Sequence, residues 1–269
     1  MVTDGQPDQP GPAALPPPRA VVFDLFITLT DWGAERRRPD DVNELASALG
    51  LDPAAFTVLM RATFGDRVEG RMGDPRATLA ALAAQLGRPA TDEQLESAAA
   101  LRTEHTRRIT APRAGVIDGI LRLRGLGYRI GVLSDCTSET VELWPALPYA
   151  GVVDAVTFSC VEGRRKPHPD LYAEVARRLG VATDECVYVG DGSSAELTGA
   201  AAAGMTPVLL ETPFGLDFRY DAEPWTGRAI RDIDELAGLL RELTAVAATP
   251  TPGPRPSPAG DDPRPRTAR

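Results

Sequence analysis

The hydrophobic pattern of this chain alternates between short apolar runs and longer amphipathic stretches. Apolar runs rich in β-branched residues, as in buried parallel strands, occur at residues 21–30, 128–133, 155–160, 186–189 and 207–210. Stretches with helical spacing lie between and after them, at residues 114–126, 169–179, 194–203 and 232–243. This order predicts an α/β fold, with a Rossmann-like parallel sheet and helices on both faces.

The segment after the first predicted strand has a different pattern. Residues 31–113 are rich in Ala and Leu, with Arg and Glu at amphipathic helical spacing. Four helices are expected here, at residues 39–49, 53–64, 74–86 and 91–108. We therefore predict an all-helical cap, residues 31–113, inserted into a core of residues 19–30 and 114–247.

The two ends of the chain are rich in proline and polar residues. Residues 1–18 and 248–269 cannot bury enough apolar surface to fold, so both are expected to be disordered tails. We assign neither tail a role in catalysis.

Composition narrows the classes of function. With 269 residues, 43% of them hydrophobic, the chain can bury a sizeable core, and its net charge of −9 argues against nucleic-acid binding. No run approaches the roughly 18 apolar residues that span a membrane, so no membrane association is expected. Cys136, Cys160 and Cys186 lack metal-ligand spacing and are interpreted as reduced thiols, which favours a cytoplasmic protein. A monomer or homodimer is expected.

Polar residues follow several of the predicted strands at the point where each strand ends. Asp24 interrupts the first apolar run, Ser134 and Asp135 follow the second, and Asp191 follows the fourth, with Glu196 in the next helical turn. The carboxyl ends of parallel strands share one edge, where α/β proteins bind ligands. We expect these side chains to line one crevice.

Lys166 is the only lysine among the 29 lysine and arginine residues of the chain. It stands directly before a proline at the start of a predicted helix, which favours a site that needs a compact positive charge. In that site an ionised Asp24 can attack an electrophile, while Ser134 donates its hydroxyl and Lys166 neutralises developing charge. Asp24 and Asp191, with one backbone carbonyl, would suffice to bind Mg²⁺.

Four motifs in this order resemble those of the haloacid dehalogenase superfamily. They read FDLFITLT, VLSD, RKPHPDLY and YVGDGSSAELTGAAAAGM. The resemblance implies a covalent intermediate on Asp24, the roles given above for Ser134, Lys166 and Asp191, and a small helical cap that closes over the site. It also implies a site in which Phe26, Thr28 and Asp135 contact a small anionic substrate. The expected metal set is Asp24, Phe26 through its carbonyl, Asp191 and Glu196.

Two residues depart from the family pattern. Phe26 stands where phosphatase members carry a second aspartate that protonates the leaving group, and its side chain cannot act as an acid. Ile27 stands where glycine is frequent, so that a bulky side chain narrows the site or tilts the loop.

Three functions therefore remain open. The acidic pair Asp191 and Glu196 favours magnesium-dependent hydrolysis of a small phosphorylated metabolite. Phe26 favours a metal-free dehalogenase, because halide leaves without a proton. A catalytically silent binding protein is the third possibility. Trp32, the cluster Arg36 to Arg38, Arg61, Arg67 and Arg71 are candidates for substrate selection, whereas His105 and His168 are expected to be structural, without zinc.

Overall fold

A six-stranded, entirely parallel sheet forms the centre of the protein, with the strand order β3-β2-β1-β4-β5-β6. The structure, a computed structural model, describes residues 16–214, 222 and 224–248. The strands are β1 Ala20–Phe23, β2 Arg129–Ser134, β3 Ala155–Phe158, β4 Cys186–Gly190, β5 Thr206–Leu210 and β6 Ala229–Ile230. The predicted α/β fold class is confirmed.

Helices cover both faces of the sheet and fill the segment after β1. The helices of that segment are α1 Trp32–Glu35, α2 Arg38–Ala48, α3 Pro53–Ala62, α4 Phe64–Val68, α5 Pro75–Gln85 and α6 Asp92–Ile109. The remaining helices are α7 Val116–Gly125, α8 Ser138–Leu143, α9 Ser159–Glu162, α10 Pro169–Leu179, α11 Glu196–Ala202 and α12 Leu236–Ala247. Within residues 32–109, which we call the helical insert, the only regular structure is helical.

Strand β1 is buried in the middle of the sheet between β2 and β4. Alternate residues of β1 enter different cores, since Val21 and Phe23 pack with α7 and α12, whereas Ala20 and Val22 pack with α10 and α11. The helical insert has a hydrophobic cluster of its own around Phe56. This separate cluster supports the proposed division into a core and a cap.

Several predicted boundaries are wrong, among them the last helix, which runs over Leu236–Ala247 rather than 232–243. The first strand ends next to Asp24, as expected, whereas the predicted strand 155–160 ends at Phe158, where α9 begins. The predicted helix 194–203 begins only at Glu196, because Ser194 and Ala195 adopt left-handed backbone angles. Apolar side chains continue past each strand end, so hydrophobicity alone overestimates strand length.

The predicted tails lie almost wholly outside the described residues. In the part of the chain that the structure describes, no single helix is long and apolar enough to cross a membrane, although α2 and α3 would pass the same test as a bent pair.

Candidate active site

The carboxyl ends of β1, β2 and β4 bring the predicted polar residues together. Asp24 follows β1 directly, and its backbone N–H donates to the Val189 carbonyl at 2.9 Å, which fixes it beside the end of β4. Carboxylate oxygens of Asp24, Asp191 and Glu196 all lie within 4.8 Å of one another, and all three residues are buried. The crevice expected from the sequence therefore exists as a buried acidic cluster.

Lys166 enters this cluster from the loop before α10. Its ammonium donates to Asp24 at 2.6 Å and to Glu196 at 2.5 Å, and the residue is only 2% exposed. Its backbone N–H donates to the Asp135 carboxylate at 3.0 Å, which anchors the lysine loop to the end of β2. One compact cation thus joins two carboxylates from different strand ends, as expected for the only lysine of the chain.

Glu196 is held by three donors. One oxygen accepts from the Gly192 backbone N–H at 2.9 Å, and the other accepts from Lys166 and from the Tyr188 hydroxyl, the latter at 2.8 Å. Sequence reasoning missed Tyr188, because a tyrosine within an apolar strand gives no sign that its hydroxyl reaches a carboxylate. A Cβ at Gly190 would lie 2.1 Å from Glu196 Oε1, so glycine is required for this close approach.

Burial and like charges make the acidic groups hold protons more tightly. Burial raises the pKa of Asp24 well above its ordinary value, Lys166 opposes this shift, and Glu196 and Asp191 add to it. Burial and the neighbouring Glu196 raise the pKa of Asp191 to about 7. Burial alone would lower the pKa of Lys166, but Asp24 and Glu196 outweigh it and keep the ammonium charged.

The donor set fits a magnesium ion. Three buried carboxylates share a single lysine, which contacts Asp24 and Glu196, so the cluster carries excess negative charge that a divalent cation would offset. Oxygen-only donors with few protein ligands are what Mg²⁺ prefers. Asp24 and Asp191 are the expected direct ligands with the Phe26 carbonyl, whereas both oxygens of Glu196 already accept from protein donors, which favours a supporting role for Glu196.

Three predicted substrate-contacting residues have buried polar atoms that lack a hydrogen-bond partner of ordinary geometry. These atoms are Thr28 Oγ1, Ser134 Oγ and Asp135 Oδ2. Buried polar groups in folded proteins are nearly always paired. Thr28 follows Asp24 by four residues, and Ser134 and Asp135 lie at the end of the neighbouring strand, where Asp135 accepts from the Lys166 N–H, which supports their proposed role as partners of a substrate.

The loop after Asp24 is held in an unusual conformation. Ile27 has a φ of 66°, the left-handed region that costs a β-branched residue roughly 1–2 kcal/mol. Its N–H donates to Thr30 Oγ1 at 2.8 Å, and its carbonyl accepts from Trp32 Nε1 at 2.6 Å. These bonds hold Ile27 in the left-handed turn that glycine would adopt freely.

Phe26 lies beneath a guanidinium group from the helical insert. The Arg38 guanidinium carbon is 5.0 Å from the centre of the Phe26 ring, and Arg38 is bonded to the buried Glu35. Glu35 in turn accepts from Thr30 Oγ1 at 3.2 Å. Burial lowers the pKa of Arg38, but Glu35 raises it, and the charge of Asp24 adds a smaller rise, so that the pKa lies above its ordinary value. Arg38 therefore lies over the site through a network the sequence did not reveal.

The other candidate residues of the helical insert divide into two groups. Arg61 is exposed, and Arg71 pairs with Asp66 at 2.5 Å and with Glu69 at the surface, so neither supports a role in substrate selection. Arg67 is half-buried, and its guanidinium group donates to the Met60 carbonyl at 2.6 Å and lies 5.9 Å from the centre of the Phe64 ring. Arg102, which sequence reasoning missed, is bonded to Glu139 of α8 and so ties α6 to the core.

Both histidines have structural partners. His105 Nε2 lies 2.9 Å from Glu44, joining α6 to α2, and Arg108 pairs with the nearby Asp41. His168 caps α10, since its Nδ1 accepts from the Asp170 N–H at 3.3 Å. These contacts agree with the structural roles expected for both residues.

Without bound metal, the protein is expected to lose stability as the pH rises from about 4 to about 7. The folded pKa of Asp191, about 7, lies above the ordinary 3.8, so the native state binds more protons than the unfolded state in that interval. The stability that protonated Asp191 contributes is fully present below pH 3.8 and is lost as the pH rises towards about 7. Above that pH the contribution no longer changes. Urea unfolding in a chelator, with wild type and Asp191→Asn in parallel, measures it. An unchanged pH slope in the variant would contradict the assignment.

The site combines an aspartate, a serine, a lysine and an acidic pair at the carboxyl ends of parallel strands. This arrangement is typical of α/β hydrolases that use an aspartate at the end of a strand. A family model described as haloacid dehalogenase-like hydrolase matches residues 18–204. The chain belongs to this family, which confirms the resemblance drawn from the four motifs.

The curated relatives include several phosphatases. A glyceraldehyde 3-phosphate phosphatase from Methanopyrus kandleri is 33% identical over 141 residues, which cover 49% of this chain and 58% of the relative. A phosphoglycolate phosphatase from Xanthomonas campestris pv. campestris is 31% identical over 199 residues, which cover 71% of this chain and 82% of the relative. The chain spans between 39% and 58% of the glyceraldehyde 3-phosphate phosphatases it matches.

Solved structures of similar fold include a family member in complex with magnesium and phosphate, and a dehalogenase. A haloacid dehalogenase-family enzyme from Bacteroides thetaiotaomicron, an Asp-to-Ala variant in complex with magnesium and inorganic phosphate, has a TM-score of 0.56 at 15% identity, covering 74% of this chain and 97% of its own. A defluorinating L-2-haloacid dehalogenase has a TM-score of 0.57 at 22% identity, covering 83% and 95%. At these identities the likeness concerns the fold.

Proposed function

We propose that this protein is a magnesium-dependent phosphatase that hydrolyses a small phosphorylated metabolite through Asp24. The observation that carries the proposal is the convergence of Asp24, Asp191 and Glu196 within 4.8 Å, with a single lysine in contact. A metal-free mechanism would leave this buried negative charge poorly compensated. The two phosphatase relatives support the same class of substrate.

In the proposed reaction, a carboxylate oxygen of Asp24 attacks phosphorus, and the bond from phosphorus to the ester oxygen breaks. Lys166, 2.6 Å from Asp24, favours the ionised form of that carboxylate and neutralises charge on the transferring group. The buried hydroxyl of Ser134 can donate to a phosphoryl oxygen. Water then attacks phosphorus and releases phosphate, which regenerates Asp24. Bound magnesium would supply charge neutralisation for the two anions as they approach.

Departure of the leaving group is the step for which Phe26 offers no proton. The nearest substitute is the charge of Arg38, whose guanidinium group lies above the Phe26 ring and pairs with Glu35. A fixed cation stabilises a departing oxyanion without transferring a proton. This arrangement favours substrates whose leaving oxygen is already weakly basic, such as a phosphate next to an electron-withdrawing carboxylate or carbonyl group.

The arginines Arg38, Arg67 and Arg102 also favour a substrate with a second anionic group. The three guanidinium groups lie close enough to interact, since burial first and then the charges of Arg67 and Arg38 lower the pKa of Arg102. Glu139 and Glu35 compensate two of them within the fold. A short phosphorylated carboxylate would bridge from the Lys166 side of the site to this region.

Phe26→Asp is expected to raise kcat for phosphate monoesters with poor leaving groups by roughly 10- to 100-fold, since a positioned general acid contributes about that much or more. Phe26→Asn is the matched control, because it has the same shape without an acidic proton. The gain should appear for alkyl phosphates and be small for p-nitrophenyl phosphate. An equal gain in the Asn variant would attribute the effect to loss of the Phe26 ring and not to acid catalysis.

The alternative function is hydrolysis of a carbon–halogen bond. Phe26 favours it, because halide leaves without taking up a proton and so requires no acid at this position. The test of both functions is a release assay on a panel of phosphorylated metabolites, including phosphoglycolate and glyceraldehyde 3-phosphate, and of 2-haloacids, with magnesium or with a chelator. Phosphate release that requires magnesium supports the proposal. Halide release that ignores the chelator would overturn it.

A further inference from the structure

Cys136 and Cys160 form a pair beside the candidate active site. In the register of the parallel strands, Ser134 of β2 pairs with Phe158 of β3, and each cysteine stands two residues further along its chain. The Cys136 N–H donates to the side chain of Ser159 at 2.9 Å, which keeps the two segments together beyond the sheet. The two thiols lie in contact, and each affects the titration of the other.

The two thiols differ in access and in charge. Cys136 is 2% exposed, whereas Cys160 is partly exposed and lines a cavity of about 300 Å³ together with Gly70, Ser138 and Glu142. Interaction with the Cys136 thiol lowers the pKa of Cys160, as do the N–H groups of Cys160 and Val161, against the effect of burial. Burial raises the pKa of Cys136. A partly exposed thiol with a lowered pKa beside a buried thiol is the arrangement of a reactive cysteine and its resolving partner.

We propose that Cys160 is a redox modification site, which hydroperoxides oxidise and which then forms a reversible disulfide with Cys136. The Cys160 thiolate attacks a peroxide oxygen, so that an S–O bond forms, the O–O bond breaks, and the departing alcohol or water takes up a proton. The Cys136 thiol then attacks the sulfenic sulfur, forming the S–S bond and releasing water. Overall, two thiols and one hydroperoxide give one disulfide, one alcohol or water, and one further water.

The position of the pair connects this chemistry to the active site. Cys136 directly follows Asp135, which accepts from the Lys166 N–H, and stands two residues after Ser134. On its other side, Cys160 contacts the helical insert, because a Cβ at Gly70 would lie 2.4 Å from the Cys160 carbonyl oxygen. Closing the disulfide draws the segments of Cys136 and Cys160 together. It thereby displaces the loop after β2 and the contact of Cys160 with Gly70 of the helical insert. We expect oxidation to lower activity about tenfold or more, an effect that rests on the proposed phosphatase function.

The experiment treats the reduced, full-length protein with hydrogen peroxide and maps its cysteines by mass spectrometry of a non-reduced digest. The Cys136 and Cys160 peptides are expected to be linked in wild type, and dithiothreitol should separate them. Cys186→Ser is the matched control, since Cys186 is buried without a thiol partner among the described cysteines and burial raises its pKa to about 12. This variant should form the same link, whereas Cys160→Ser and Cys136→Ala should not.

Mapping and activity decide separate questions. Three thiols that stay unlinked after peroxide, or a link that involves Cys186, would overturn the redox proposal whatever the activity. A mapped disulfide that leaves phosphate release unchanged would overturn its regulatory effect. Absence of phosphate release in the reduced protein counts against the proposed function, while the peptide map still decides the disulfide.

Discussion

Asp24→Asn is expected to lower kcat for phosphate release by at least about 10³-fold, with the fold intact. An amide nitrogen or oxygen cannot replace the carboxylate as nucleophile, and loss of a nucleophile costs this much or more in other covalent enzymes. Asparagine keeps the shape of the side chain, and Lys166 keeps its bond to Glu196. One charge also leaves a crowded acidic cluster, so the midpoint of thermal unfolding should stay within a few degrees of wild type or rise.

The control for this variant is Asp118→Asn, the same chemical change at an exposed position in the first turn of α7. It should retain wild-type turnover, measured as steady-state phosphate release at saturating substrate and magnesium. Near-normal turnover in Asp24→Asn, with unchanged circular dichroism, would rule out Asp24 as the nucleophile.

Lys166→Met is expected to have the second-largest effect, on both stability and turnover. It leaves Asp24 and Glu196 buried beside each other without their shared cation, and breaking a buried ion pair from one side costs about 3–5 kcal/mol. The Lys166 charge is also what opposes the raised pKa of Asp24, so the variant holds Asp24 protonated and unable to attack. Turnover should fall about 10²- to 10⁴-fold, and the residual activity should increase with pH.

Lys166→Arg separates charge from shape. It keeps the positive charge but brings a planar, larger head group into a site where Lys166 is 2% exposed. We expect it to recover most of the lost stability and little of the lost turnover. The free energy of unfolding from urea titration and the pH profile of kcat measure the two effects. A Met variant that is as stable and as active as wild type would contradict the role of Lys166.

The sequence predicted the centre of the site because strand ends constrain it. Asp24, Ser134 and Asp191 follow buried strands of one parallel sheet, so the topology alone brings them to one edge. The single lysine stood out by its rarity. No comparable constraint acts on the helical insert, where amphipathic spacing shows that Arg61, Arg67 and Arg71 occupy polar faces but not which of those faces is turned inward.

Other features depended on details of the loops. The contact between Cys136 and Cys160 follows from β3 ending at Phe158, two residues earlier than the apolar run suggests. The position of Arg38 over Phe26 depends on Glu35 and Thr30. Both side chains are buried, although polar residues near the start of a helix are expected to be exposed. Such placements result from tertiary hydrogen bonds between positions that no local periodicity connects.

The destination of the solvent oxygen tests the central claim most directly. The best substrate from the panel is hydrolysed over many turnovers in ¹⁸O-water with magnesium, and the released phosphate and the peptide that contains Asp24 are both analysed by mass spectrometry. Attack of water on phosphorus predicts ¹⁸O in the phosphate and none in Asp24. Label in the Asp24 peptide would mean that water attacks the carboxyl carbon of an ester, as cleavage of a carbon–halogen bond requires, and would contradict the phosphatase account.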